Sequence, residues 1–140
     1  MNGFIRFGLI VVTALLTILP VQAQQALLVV HDDQASNLGT HDVFVRDRLV
    51  TLGFTVEIIR ASDSSAASAN GKDLVFISES VGSSTVTNKF KSVTVPVVTD
   101  EAYIFDDMAF TGTTANTDFG TITDSQIVIT NSSHPLAAGL

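Results

Sequence analysis

The chain contains no cysteine and no tryptophan. Without thiols it has no disulfide, no thiolate metal ligand and no cysteine nucleophile, and a lipoprotein anchor, which needs a Cys after the cleavage point, is excluded. Cations are scarce too: seven Lys and Arg stand against 14 Asp and Glu, a formal charge of −7 over 140 residues. Arg6 is the only charged side chain before His31, so loss of the N-terminal segment would leave the remainder at −8. A domain this acidic repels phosphate backbones and anionic lipid, which removes nucleic acid and the membrane surface from the expected partners. Glycine-rich phosphate fingerprints are missing, since "GSSTVTNK" lacks the GxxxxGK[ST] order.

What is present begins with an export signal. Arg6 and the N-terminal amine form a short positive region, and an uncharged run from Phe7 to Leu19 follows. Pro20 and the small-residue site Val21-Gln22-Ala23 complete the layout of a secretory signal peptide over 1–23, cut after Ala23. The uninterrupted run is shorter than the roughly 20 apolar residues that span a bilayer. The expectation is a secreted, periplasmic or extracellular protein with no membrane contact after cleavage. It carries one α/β domain over 24–140, a length of roughly 120 residues that suffices for a single core. The ending Ala138-Gly139-Leu140 has no polar tail and reads as a truncated domain inside a longer protein.

Beyond the leader, two hydrophobic periods alternate. Ala26–Val30, Phe54–Ile59, Leu74–Ile77 and Val95–Val98 are short apolar, β-branched runs and read as strands. Between the first two, Val43, Phe44, Leu49, Val50 and Leu52 recur at helical spacing, and Gly53 supplies the stop. Ser62–Ala69, Val86–Phe90 and Ala102–Met108 read as short helical pieces, and Thr111–Asp124 as a loop or irregular hairpin. Gln126–Ile129 reads as a last strand. Strands alternating with helices imply right-handed βαβ units and a parallel sheet. The expected fold is an α/β three-layer sandwich with a mainly parallel, flavodoxin-like sheet in the order 2-1-3-4 plus a C-terminal strand. Parallel strands are covered on both faces, so Val29, Val56, Val75, Phe76 and Val97 are expected to be nearly fully buried.

In such a sheet ligands bind at the carboxyl ends of the strands. That places His31-Asp32-Asp33, Ser78-Glu79-Ser80 and Thr99-Asp100-Glu101 at the candidate site. Asp32, Asp33, Asp100 and Glu101 are the candidate ligands of a divalent cation, whose preference is for oxygen. Their spacing matches no dedicated metal loop, so the expectation is that they spread into water, with no metal and no cofactor. His31 and His41, with Asp32, Asp33 and Asp42, are a second arrangement that holds a transition metal only if the loop folds back.

"LLVVHDDQ" resembles the first strand and acidic pair of response-regulator receiver domains. The place of the phospho-accepting Asp is taken by Ser78 in "DLVFIS", and no Lys follows a fifth strand, so the resemblance does not extend to phosphotransfer. A broader resemblance rests on "LGFTVEII", "KDLVFIS", "VPVVTDEAYIFDDMAFTG" and "SSHPLAAGL". Together these stretches resemble the class I glutamine amidotransferase-like superfamily in its non-amidotransferase branches, such as the ThuA-like proteins. Stretches similar to all four occur in modules of large secreted bacterial proteins. The resemblance implies a flavodoxin-like sheet and, at "VPVVTDEAY", the strand–turn–helix that presents the superfamily's nucleophile. Here Glu101 stands at the nucleophile position, with Thr99 and Tyr103 where glycines belong, and no His-Glu pair follows. The expectation is therefore a non-catalytic exported module that binds or spaces other domains of a longer secreted protein, or an extracellular ligand. The alternative is a degenerate amidotransferase-like hydrolase using Glu101 with Asp33 or Asp32.

Overall fold

The computed structural model describes residues 23–33, 35–124, 126 and 128–134. The expected leader, apart from Ala23, and Pro135–Leu140 of the "SSHPLAAGL" stretch lie outside the described residues. Four strands, β1 (Gln24–Val30), β2 (Phe54–Arg60), β3 (Leu74–Ile77) and β4 (Val97–Thr99), form one sheet in the order β2-β1-β3-β4. Every pairing is parallel, with Leu28 beside both Ile58 and Phe76, and Phe76 beside Val98. This is the expected α/β, flavodoxin-like sheet. Among the described residues no helix is long and apolar enough to cross a membrane.

The first crossover is helix α1 (Thr40–Thr51). Gly53, at φ +94°, takes up the left-handed conformation that lets the chain leave the helix and enter β2 within two residues. Residues alternate across the pleat, so Leu27, Val29, Val75 and Ile77 share one face and Ala26, Leu28, Leu74 and Phe76 share the other. The first face packs against a layer made by the 3-10 turn Ala66–Ala69, the short helix α2 (Ser83–Val86), Phe90, Ile104 and Met108. The second face receives α1, which lies over β2 and β1. Lys89 Nζ ties the first layer to the end of β2 by donating to the Ala61 carbonyl at 2.7 Å.

Three burial expectations need correction. Val29 and Val75 are fully buried, but Val56, Phe76 and Val97 are only partly so. Val56 and Val97 sit on the two edge strands, and Phe76 lies on the part of its face that α1 does not reach. The helix is also less two-sided than its spacing implied: Leu49 is buried, whereas Phe44, Val50 and Leu52 are exposed. The C-terminal strand is a further correction, because Gln126, Val128 and Ile129 are in no strand and Val128 is 79% exposed. A β-branched run becomes a strand only when an edge accepts it. Strand β4 is three residues long and follows Pro96, which has no N–H to donate, and so presents little edge.

Candidate functional site

The carboxyl ends of β1, β3 and β4 meet the first turn of α1 at the point where strand order reverses. The acidic residues gathered there are each engaged locally. Asp32 Oδ1 accepts the Ser62 backbone N–H at 2.8 Å, closing the turn after β2. That hydrogen bond holds the Asp32 carboxyl below its ordinary value of 3.8, outweighing the opposing effect of desolvation. Asp33 Oδ1 lies 2.5 Å from His31 Nδ1. Asp100 Oδ2 lies 2.7 Å from His41 Nε2, and Glu79 Oε1 is 3.7 Å from the other ring nitrogen. His41 therefore bridges the start of α1 to the ends of β3 and β4.

Glu101 is a turn-capping residue. Its Oε1 accepts the Tyr103 N–H at 2.8 Å, and its own N–H donates to Thr99 Oγ1 at 3.0 Å. Its backbone, at φ −83° and ψ 104°, is ordinary extended chain, whereas a nucleophile elbow is a strained turn that thrusts its side chain outward. Glu101 and Asp33, the pair named for hydrolysis, are thus turned to separate partners. Among the described residues no three His, Asp or Glu side chains are grouped so as to hold one metal ion. The two histidines are likewise divided, His31 with Asp33 and His41 with Asp100 and Glu79.

No protein-family model, curated protein or solved structure matches the chain.

One constellation escaped the sequence reading. Asp42, in the first turn of α1, is 1% exposed. Its Oδ1 accepts a short hydrogen bond from the buried Ser78 hydroxyl and a second from the Ser80 hydroxyl at 3.2 Å. Ser80 Oγ in turn accepts the His31 N–H at 3.2 Å. The switch point is therefore stitched by a polar knot through β1, β3 and α1. A carboxylate in the first turn also suits the positive end of the helix dipole. Asp42 Oδ2 is buried with no hydrogen-bond partner among the described residues. The signal in the sequence is an acid three residues beyond Gly39 together with the Ser-Glu-Ser that follows β3, and the arrangement of His31, His41 and Asp42 as metal ligands competes for the same residue.

A second feature lies on the sheet face. Beside α1, over β3 and β4, runs an open groove of about 410 Å³ bounded by Phe44, Leu52, Leu74, Phe76 and Val98. Arg48 is the one charged side chain among the residues bounding it.

Proposed function

We propose that the chain is an exported, non-catalytic α/β module that binds or spaces parts of a larger extracellular protein. The reading joins the export signal over 1–23 to the resemblance with amidotransferase-like modules of secreted bacterial proteins. The observation that carries it is the employment of the strand-end carboxylates. Asp32, Asp33, Asp100 and Glu101 each hold a turn or a histidine, and Glu101 sits on unstrained backbone. A hydrolase using Glu101 with Asp33 needs both carboxylates free to face one substrate, and this arrangement gives that alternative no support.

Expression of the whole chain in a bacterial host, followed by N-terminal sequencing of the product recovered outside the cytoplasm, tests the reading. The expected first residue is Gln24. Recovery of the intact Met1 form embedded in membrane would refute export. Hydrolysis of model amides or esters that disappears in Glu101→Gln would refute the non-catalytic half.

A further inference from the structure

Neighbouring strands lie about 4.8 Å apart, whereas packed helices stand 8–10 Å apart, so one helix covers about two strands. A four-stranded face therefore takes two helices side by side. On the face that carries Leu74 and Phe76, α1 packs on β2 and β1, and by these spacings the groove beside it over β3 and β4 has room for one more helix. Its walls are apolar and partly open, with Phe44 68%, Leu52 55% and Val98 46% exposed. Phe44, Arg48 and Leu52 follow one another at four-residue spacing, so they form a ridge of α1 along the groove.

The charge on that ridge selects the occupant. The Arg48 side chain is exposed and has no ion-pair partner among the described residues, whereas Arg46 pairs with Asp47 at 2.7 Å and Lys72 with Glu57 at 2.5 Å. We propose that the groove is the seat of an acidic amphipathic helix from another part of the assembly, its apolar stripe on Leu74, Phe76 and Val98 and a carboxylate on Arg48. The proposal rests on the reading of the chain as one module of a larger protein.

Other occupants fit less well. In a second copy, a two-fold axis parallel to the strands lays each α1 in the other's groove, but it also sets Arg48 against its own symmetry mate. Of the exposed apolar residues described after β4, Ile122, Val128 and Ile129 are β-branched, which disfavours a helix, while Tyr103 lies in the 3-10 turn Ala102–Ile104 and Phe110 is tied back to the Phe105 carbonyl at 2.8 Å. The neighbouring Asp124 already accepts the Gln126 N–H at 3.2 Å. A small apolar ligand would find only one polar group to orient it, fewer than such sites provide.

The test uses the whole purified chain and two synthetic helical peptides of about 12 residues, the length of α1. Both carry Leu at every third or fourth position; one has a Glu beside the stripe and the other a Lys. Titration by fluorescence anisotropy should show the Glu peptide binding at least about tenfold more tightly than the Lys peptide, and Arg48→Glu should reverse the order. Arg48 is on the surface, so this variant should keep the wild-type circular dichroism spectrum. Equal binding of both peptides, or binding of neither, overturns the proposal. A dimer in sedimentation that Phe76→Asp dissolves also overturns it, in favour of the second copy. The outcome is read independently of N-terminal processing, so failure of export leaves the groove result standing, and failure of the groove leaves export untouched.

Discussion

Leu27, Val29, Val75 and Ile77 on one face of the sheet are fully buried, sealed by Val86, Phe90, Ile104 and Met108. Leu74, Phe76 and Val98, from strands β3 and β4 on the opposite face, border an open groove. The residues themselves barely differ, since Leu, Val, Ile and Phe occur on both sides. What differs is the number of elements delivered to each face. Among the described residues, the sealed face is reached by four short pieces of chain, whereas the open one is packed chiefly by α1. Apolar character states only that a side chain profits from cover; the connections decide whether cover arrives.

The contrast is sharpest in adjacent residues of β3. Ile77→Ala removes a side chain with no exposure from the closed face and should lower unfolding stability by about 2–5 kcal/mol in denaturant titration. Phe76→Ala, although the larger truncation, should cost only about 1–2 kcal/mol, because part of that ring is already in water. Equal losses at the two positions would break the comparison and mean that Phe76 is covered in solution.

A smaller effect is expected at the polar knot that joins the two halves of the sheet. Asp42→Ala leaves the Ser78 and Ser80 hydroxyls without their acceptor and should cost about 1–3 kcal/mol. Asp42→Asn keeps an acceptor oxygen for both serines and should cost less, measured by the same titration. If Asn costs as much as Ala, the knot depends on the charge and not on the hydrogen bonds.

The smallest effect belongs to the turn after β2, which Asp32 closes. The folded Asp32 carboxyl titrates below its ordinary value of 3.8, so its contribution is present above that pH and is lost as the pH falls through the lowered value. Asp32→Asn should therefore flatten the acid limb of the stability curve below about pH 4 and leave the neutral range nearly unchanged. An unchanged acid limb in thermal melts would mean that the Ser62 hydrogen bond does not persist in solution.

Much of the candidate site was legible because polar residues must follow a buried apolar strand where it reaches water. His31-Asp32-Asp33, Ser78-Glu79-Ser80 and Asp100-Glu101 all lie where that rule puts them. Their roles were not legible. Whether a carboxylate binds a ligand or caps a turn depends on which backbone N–H the fold brings within 3 Å, as with Ser62 on Asp32 and Tyr103 on Glu101. Asp42 illustrates the same limit from the other side, since its partners Ser78 and Ser80 are 36 and 38 residues away in the chain.

By itself the amino-acid sequence determined the four paired strands, their parallel direction and the α1 boundary at Gly53, but it also offered a fifth strand that did not form. Apolar run length, helical spacing and backbone permissiveness are local quantities. It also carried the order 2-1-3-4, since right-handed crossovers leave few arrangements for four parallel strands. Only the tertiary structure decided that Phe76 is partly exposed while Ile77 is sealed, that Gln126, Val128 and Ile129 join no sheet edge, and that Glu101 caps a turn. Burial, strand pairing and hydrogen-bond partnership are properties of pairs of distant segments, and residue type constrains only one member of each pair.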